Sequence, residues 1–264
     1  MIWFPPKLPI LEEDRLWVNN GFNRLERLLG RRRLLEAKLV EPTSEDFPDP
    51  YNRTDEAAAS LFLRVCKYMR VARSSVTLEI FPDETEDLED ILPYWRSDGG
   101  SRAAGLCVHA YQQTPTPQDT DSGMVVAIRS VMLKDPMALV ATMAHELGHV
   151  ILLGGNLLSR DTPDHEPMTD LLTVFLGLGI FTANSAAGFK QFQDDRHAGW
   201  STHRLGYLPE PVYGYALAKF ATERGEQKPD WAHHLSTNVR SDFKRSMRWL
   251  MENPHYVPLA EPLK

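Results

Sequence analysis

The stretch from Pro136 to Leu153 is almost wholly apolar except for one polar cluster, His145-Glu146-Leu147-Gly148-His149. Asp135 and Pro136 make a good N-cap and first helical position, and Gly154 and Gly155 end the run, so the spacing predicts one helix. A helix that is apolar all round belongs at the centre of a fold or inside a membrane. Two imidazoles and a carboxylate placed there face a desolvation penalty of several kcal/mol, on the order of 2–7 per unpaired polar group, unless something binds them. The chain must therefore fold around this helix and give its polar cluster a partner.

The chemistry that suits the cluster follows from its period. Residues four apart lie on one face, one turn apart, so the ring nitrogens of His145 and His149 can converge on a tetrahedral zinc ion. Glu146 projects beside that face and can reach a metal-bound water without ligating the metal, as a general base must. Two histidines leave a catalytic site one protein ligand short, and Asp161, Asp164, His165, Glu166 and Asp170 are the downstream candidates. Glu166 and Asp170 are four apart on the next predicted helix and share a face. One can bind zinc while the other accepts the spare N–H of a ligating histidine.

Around this centre the pattern reads as α+β. Thr54 caps a helix continuing through Ala57–Val71; Val76–Phe81, Ala104–Tyr111 and Met124–Leu133 read as strands. Pro209–Arg224 and Asn238–Met251 read as amphipathic helices, the second with Val239, Phe243, Met247 and Leu250 inward. The acidic run Asp83–Asp90 reads as an exposed insertion or short helix, and Thr114–Ser122 as a loop. Residues 1–52 read as a helical arm, basic and Leu-rich over Arg24–Lys38, with a Pro-rich linker. Residues 53–264 read as one domain, with a β-containing lobe to about residue 155 and a helical lobe after it. Arg31–Arg33 read as a solvated charged face, as does the helix around Arg240, Lys244, Arg245 and Arg248, with Trp249 in the core.

Composition narrows the partners. A formal charge of −7 disfavours nucleic acid. Cys66 and Cys107 are distant and form no C-x-x-C pair, which fits buried free thiols in a reducing compartment. Met1–Arg15 has no secretory-signal pattern, so a cytoplasmic protein is expected. Leu171–Phe189 carries no charge, but Gly177, Gly179 and Gly188 with several hydroxyl and amide side chains make it a buried helix rather than a membrane span.

The His145-Glu146-x-x-His149 helix followed by Glu166-x-x-x-Asp170 resembles the zincin metallopeptidases, within them the thermolysin-like, Glu-liganded branch; the likeness covers about Gly123–Phe189. It implies a zincin-like fold with a small N-terminal sheet, a central HExxH helix and a helical C-terminal lobe. It implies zinc on His145, His149 and Glu166, water activation by Glu146, and Asp170 orienting a histidine. It also implies that the Met124–Leu133 strand forms a sheet edge to which a peptide substrate pairs. The gap between His149 and Glu166 is short for that branch, and His165 stands where it has Asn, itself a possible ligand. A G-x-M-E-N exopeptidase signature is missing, and Gly155 occupies the place of the third metzincin histidine. An oxyanion donor is expected from His203, Tyr207, Tyr213 or Tyr215, with Tyr207 favoured by its turn before a helix. The activity expected is zinc-dependent peptide-bond hydrolysis; the alternative is a non-enzymatic regulatory or interaction protein keeping a zincin fold.

Overall fold

The computed structural model describes residues 7–82, 105–109, 124–193 and 208–254. In chain order its main elements are α1 (Glu12–Leu29), α2 (Arg31–Leu35), α3 (Asp55–Met69), β1 (Val76–Phe81), β2 (Gly105–His109) and β3 (Met124–Arg129). After these come α4 (Pro136–His149), α5 (His165–Phe175), α6 (Gly179–Gln193), α7 (Glu210–Glu223) and α8 (Thr237–Glu252). The fold is α+β and mostly helical, with one small sheet. Two compact units divide it: Pro42–Thr162, and Met1–Glu41 together with Pro163–Lys264. This division differs from the expected arm over 1–52 and single domain over 53–264.

In the unit Pro42–Thr162, Thr54 caps α3 by accepting the Ala57 N–H at 3.3 Å. The helix ends on Arg70 in the left-handed region, φ 51°. The sheet order is β1-β3-β2, with β1 parallel and β2 antiparallel to β3. Pairing runs from Val76 opposite Met124 to Phe81 opposite Arg129 on one side, and from Gly105 opposite Ile128 to His109 opposite Met124 on the other. Thus β3 is the central strand, with a partner along both edges, and the expectation that it offers a free edge to a substrate peptide is not met. Its residues Met124–Ile128 are all buried, as a strand covered on both faces requires. The strand also stops at Arg129, where a 3-10 turn over Ser130–Lys134 replaces the expected continuation to Leu133.

That turn delivers Asp135, whose carboxylate accepts the Met137 and Ala138 N–H groups at 3.0 and 3.1 Å and starts α4, with Pro136 at its first position. Helix α4 packs on α3 and on β2 and β3. Beyond His149 the helix widens into a π turn over Val150–Gly154. Among the described residues Pro136–Gly154 is the one helix long and apolar enough to cross a membrane, and 78% of it is buried inside the protein, as in the core of a soluble one. Cys66 is buried here, and burial pushes its thiol up to about 12.

The unit Met1–Glu41 with Pro163–Lys264 is helical. Val18, Phe22 and Leu25 of α1 recur on one face and are buried, and α1 packs on α5 and α7, so the first residues are built into this unit rather than forming an arm. Gly30, at φ 87°, separates α1 from α2 within the basic stretch that reads as continuous. Arg31 is not part of a solvated face: it pairs with Glu26 at 2.7 Å and with buried Glu223 at 2.8 Å, and Glu223 also holds Lys219 at 2.8 Å. Arg224 donates to the carbonyls of Leu34, Leu35 and Ala37, closing the end of α2.

The uncharged stretch Leu171–Phe189 is two helices, not one. At Gly177 φ is 86°, and an added Cβ would lie 2.1 Å from the Lys38 carbonyl oxygen, so the chain turns at a place only glycine can occupy. Helix α8 buries Val239, Phe243, Met247 and Leu250 as its period predicts. The segments Asp83–Asp90 and Thr114–Ser122 lie outside the described residues.

Candidate metal centre

The cap at Asp135 fixes the register of α4, and from Leu139 to His149 every residue is buried. His145 and Glu146 are 5% exposed and His149 8%, so the polar cluster lies in the interior as the sequence requires. The Nε2 atoms of His145 and His149 are 3.1 Å apart, with ring planes at 85° and centroids 4.7 Å apart. Two nitrogens bound to one tetrahedral zinc at about 2.0–2.1 Å stand roughly 3.3 Å apart, so the pair already has nearly the spacing of two zinc ligands. A direct N–H···N hydrogen bond also fits 3.1 Å. Both Nε2 atoms can ligate one ion only with the ring protons on Nδ1, so the tautomers distinguish the two arrangements.

Of the downstream candidates, Glu166 is the one that groups with the two histidines. Each of His145, His149 and Glu166 offers one ligand atom, these lie within 4.8 Å of one another, and the three form a group able to hold a metal ion. Two imidazoles and one carboxylate also match the donor chemistry of a catalytic zinc site. Glu166 is the second residue of α5, its side chain 38% exposed, and its Oε1 lies 3.1 Å from His165 Nε2. His165 therefore faces Glu166 and competes for the same carboxylate.

The other acids have different surroundings. Asp164 accepts Trp17 Nε1–H at 3.2 Å and lies 3.7 Å from the Arg24 guanidinium, which ties it to α1. Asp161 closes a local turn with Ser159, accepting its hydroxyl at 3.4 Å. Asp170 is fully buried, and its Oδ2 accepts the Leu208 N–H at 2.9 Å. A buried carboxylate needs donors, and this one joins α5 to the chain entering α7 within one unit. Spacing along α5 carried no sign of this partner, which lies 38 residues away.

Tyr213 and Tyr215 are core residues of α7; Tyr215 donates to Asn19 Oδ1 at 3.1 Å, and burial pushes its phenol up to about 12. Neither has the open setting expected of an oxyanion donor. Tyr207 and His203 lie outside the described residues. One polar group went unnoticed in the sequence: Thr142, three residues before His145, is 3% exposed, and its Oγ1 has no hydrogen-bond partner among the described residues. The signal was present, since residues 142, 145, 146 and 149 share one face of the helix.

No family model, no curated protein and no solved structure matches the chain.

Proposed function

We propose that the protein is a zinc-dependent peptide hydrolase of zincin type, acting in the cytoplasm on peptide or protein substrates. The observation that carries this reading is the approach of His145 and His149 Nε2 to 3.1 Å on a buried helix, with a Glu166 ligand atom in the same group. His145, His149 and Glu166 would hold the ion. When bound, zinc lowers the pKa of its water to about 7 and polarises a carbonyl oxygen.

The chain's own residues do the rest. Glu146, buried beside the first histidine, takes a proton on its carboxylate during attack and returns it to the leaving amine nitrogen. The apolar wall of α4 excludes water and strengthens every charge interaction made by that carboxylate. Asp170, one of whose oxygens accepts the Leu208 N–H, is the residue that would fix the tautomer and direction of an imidazole holding the ion. Tyr207 donates to the oxyanion that develops as the peptide carbonyl is attacked.

A second reading rests on the same 3.1 Å separation taken as a hydrogen bond: a non-enzymatic regulatory or interaction protein with the fold retained. Glu146 favours the enzyme, because a purely structural histidine pair needs no buried carboxylate beside it. The test is cleavage of a diverse peptide pool by the zinc-loaded chain, read by mass spectrometry beside Glu146→Gln. Cleavage by the natural chain alone supports the hydrolase; absence of cleavage by both supports the second reading.

A further inference from the structure

Within the unit Met1–Glu41 with Pro163–Lys264, a groove of about 830 Å³ runs between α8 and residues 227–233. Arg240, Lys244 and Arg248 recur every four residues along its helical wall, and Lys228 faces them from the other side. Its two acids are Asp230 and Glu252, so four cations oppose two anions in a chain whose total charge is −7. Lys228, Lys244 and Arg248 are exposed and make no ion pair among the described residues. Phe243 and Met247 form the floor, and Met251 at its end is 53% exposed. Solvated lysines alone would need no explanation; a basic row beside an apolar floor has the make-up of a peptide-binding groove.

We infer that this groove receives the acidic segment 83–95 of a second copy of the chain. Six of the eight residues from Asp83 to Asp90 are acidic, and the apolar residues Ile91, Leu92 and Trp95 follow, with Pro93 among them. That is the reverse of the groove's charge: an acidic run followed by apolar residues. The segment belongs to the connection 83–104 between β1 and β2, longer than joining two strands of one sheet requires, and surplus length of this kind is commonly functional. Every copy carries both parts, so each can donate a segment and receive one.

Light scattering and sedimentation on the full chain test the inference. The chain is expected to dimerise at about 50 mM salt and to dissociate toward about 500 mM, as screening of exposed charges demands. Lys244→Glu with Arg248→Glu should weaken the dimer at least about tenfold, Glu86→Lys with Asp90→Lys should do the same, and combining all four should restore it. All eight sites of the four exchanged pairs in a dimer are then matched again, and an unchanged circular-dichroism spectrum establishes that each variant is folded. A chain that stays monomeric at about 100 μM in low salt, a dimer indifferent to the groove reversals, or a combined variant that fails to re-form the dimer overturns the inference.

Discussion

Helices α4 and α8 are of similar length, and their polar residues carry opposite messages. In α8 the buried positions are Val239, Phe243, Ser246, Met247 and Leu250, while Arg240, Lys244 and Arg248 face outward. Those cations mark where solvent lies and say little about function by themselves. In α4 the run Leu139–His149 is buried throughout, and Thr142, His145, Glu146 and His149 are carried inside with it. A polar group held away from water costs roughly 1–3 kcal/mol or more unless a partner offsets it. The difference teaches that a polar residue informs about chemistry in proportion to how strongly its helix is forced inward.

The largest way to break this contrast is at Glu146. On the proposed mechanism Glu146→Gln lowers hydrolysis by about a hundredfold to ten-thousandfold while zinc content stays near that of the natural chain. Steady-state kinetics with metal analysis checks this, and undiminished turnover would remove Glu146 as the base. Next comes Glu166, the half-exposed residue proposed as third ligand. Glu166→Ala should weaken zinc binding by more than the roughly hundredfold that loss of a hydrogen-bonded support residue reaches. If His165 substitutes for it, competition titration with a chromophoric chelator will find near-native affinity instead.

Asp170→Asn sits below that, at about ten- to a hundredfold in zinc affinity. It also weakens the bond from Leu208 N–H to the buried carboxylate, so the melting temperature should fall, by an amount corresponding to about 1–3 kcal/mol. Lost affinity without lost stability would place Asp170 on the metal alone, and the converse on the fold alone. The smallest effect is expected at Thr142. Thr142→Val removes a buried hydroxyl that has no partner among the described residues, so stability should hold or rise by about 1 kcal/mol. A clear loss in thermal unfolding would mean that this hydroxyl is bonded and that α4 carries a further polar contact.

These cases also separate what could be read along the chain from what could not. Local chemistry was legible: Asp135-Pro136 starts α4, Thr54 caps α3, and the four-residue spacing of His145 and His149 puts their nitrogens face to face. The central place of β3 is signalled too, since Met124–Ile128 is apolar without alternation. The break at Gly177 was hidden because a glycine in an apolar run looks the same in a straight helix as in a turn, and the Lys38 backbone that requires it is distant in sequence. Asp164 was open to several readings until Trp17, 147 residues away, took its carboxylate. Period and spacing report neighbours within a few turns; partners fixed by tertiary packing leave no such trace.

The central claim is that the α4 histidines face a metal ion rather than only each other. Equilibrium zinc titration of the chelator-stripped chain, with His145→Ala and His149→Ala beside it and folding followed by circular dichroism, tests this directly. The account predicts about one zinc per natural chain, lost in both variants while the helical spectrum persists. No zinc bound by the natural chain, or equal binding by all three, would contradict it.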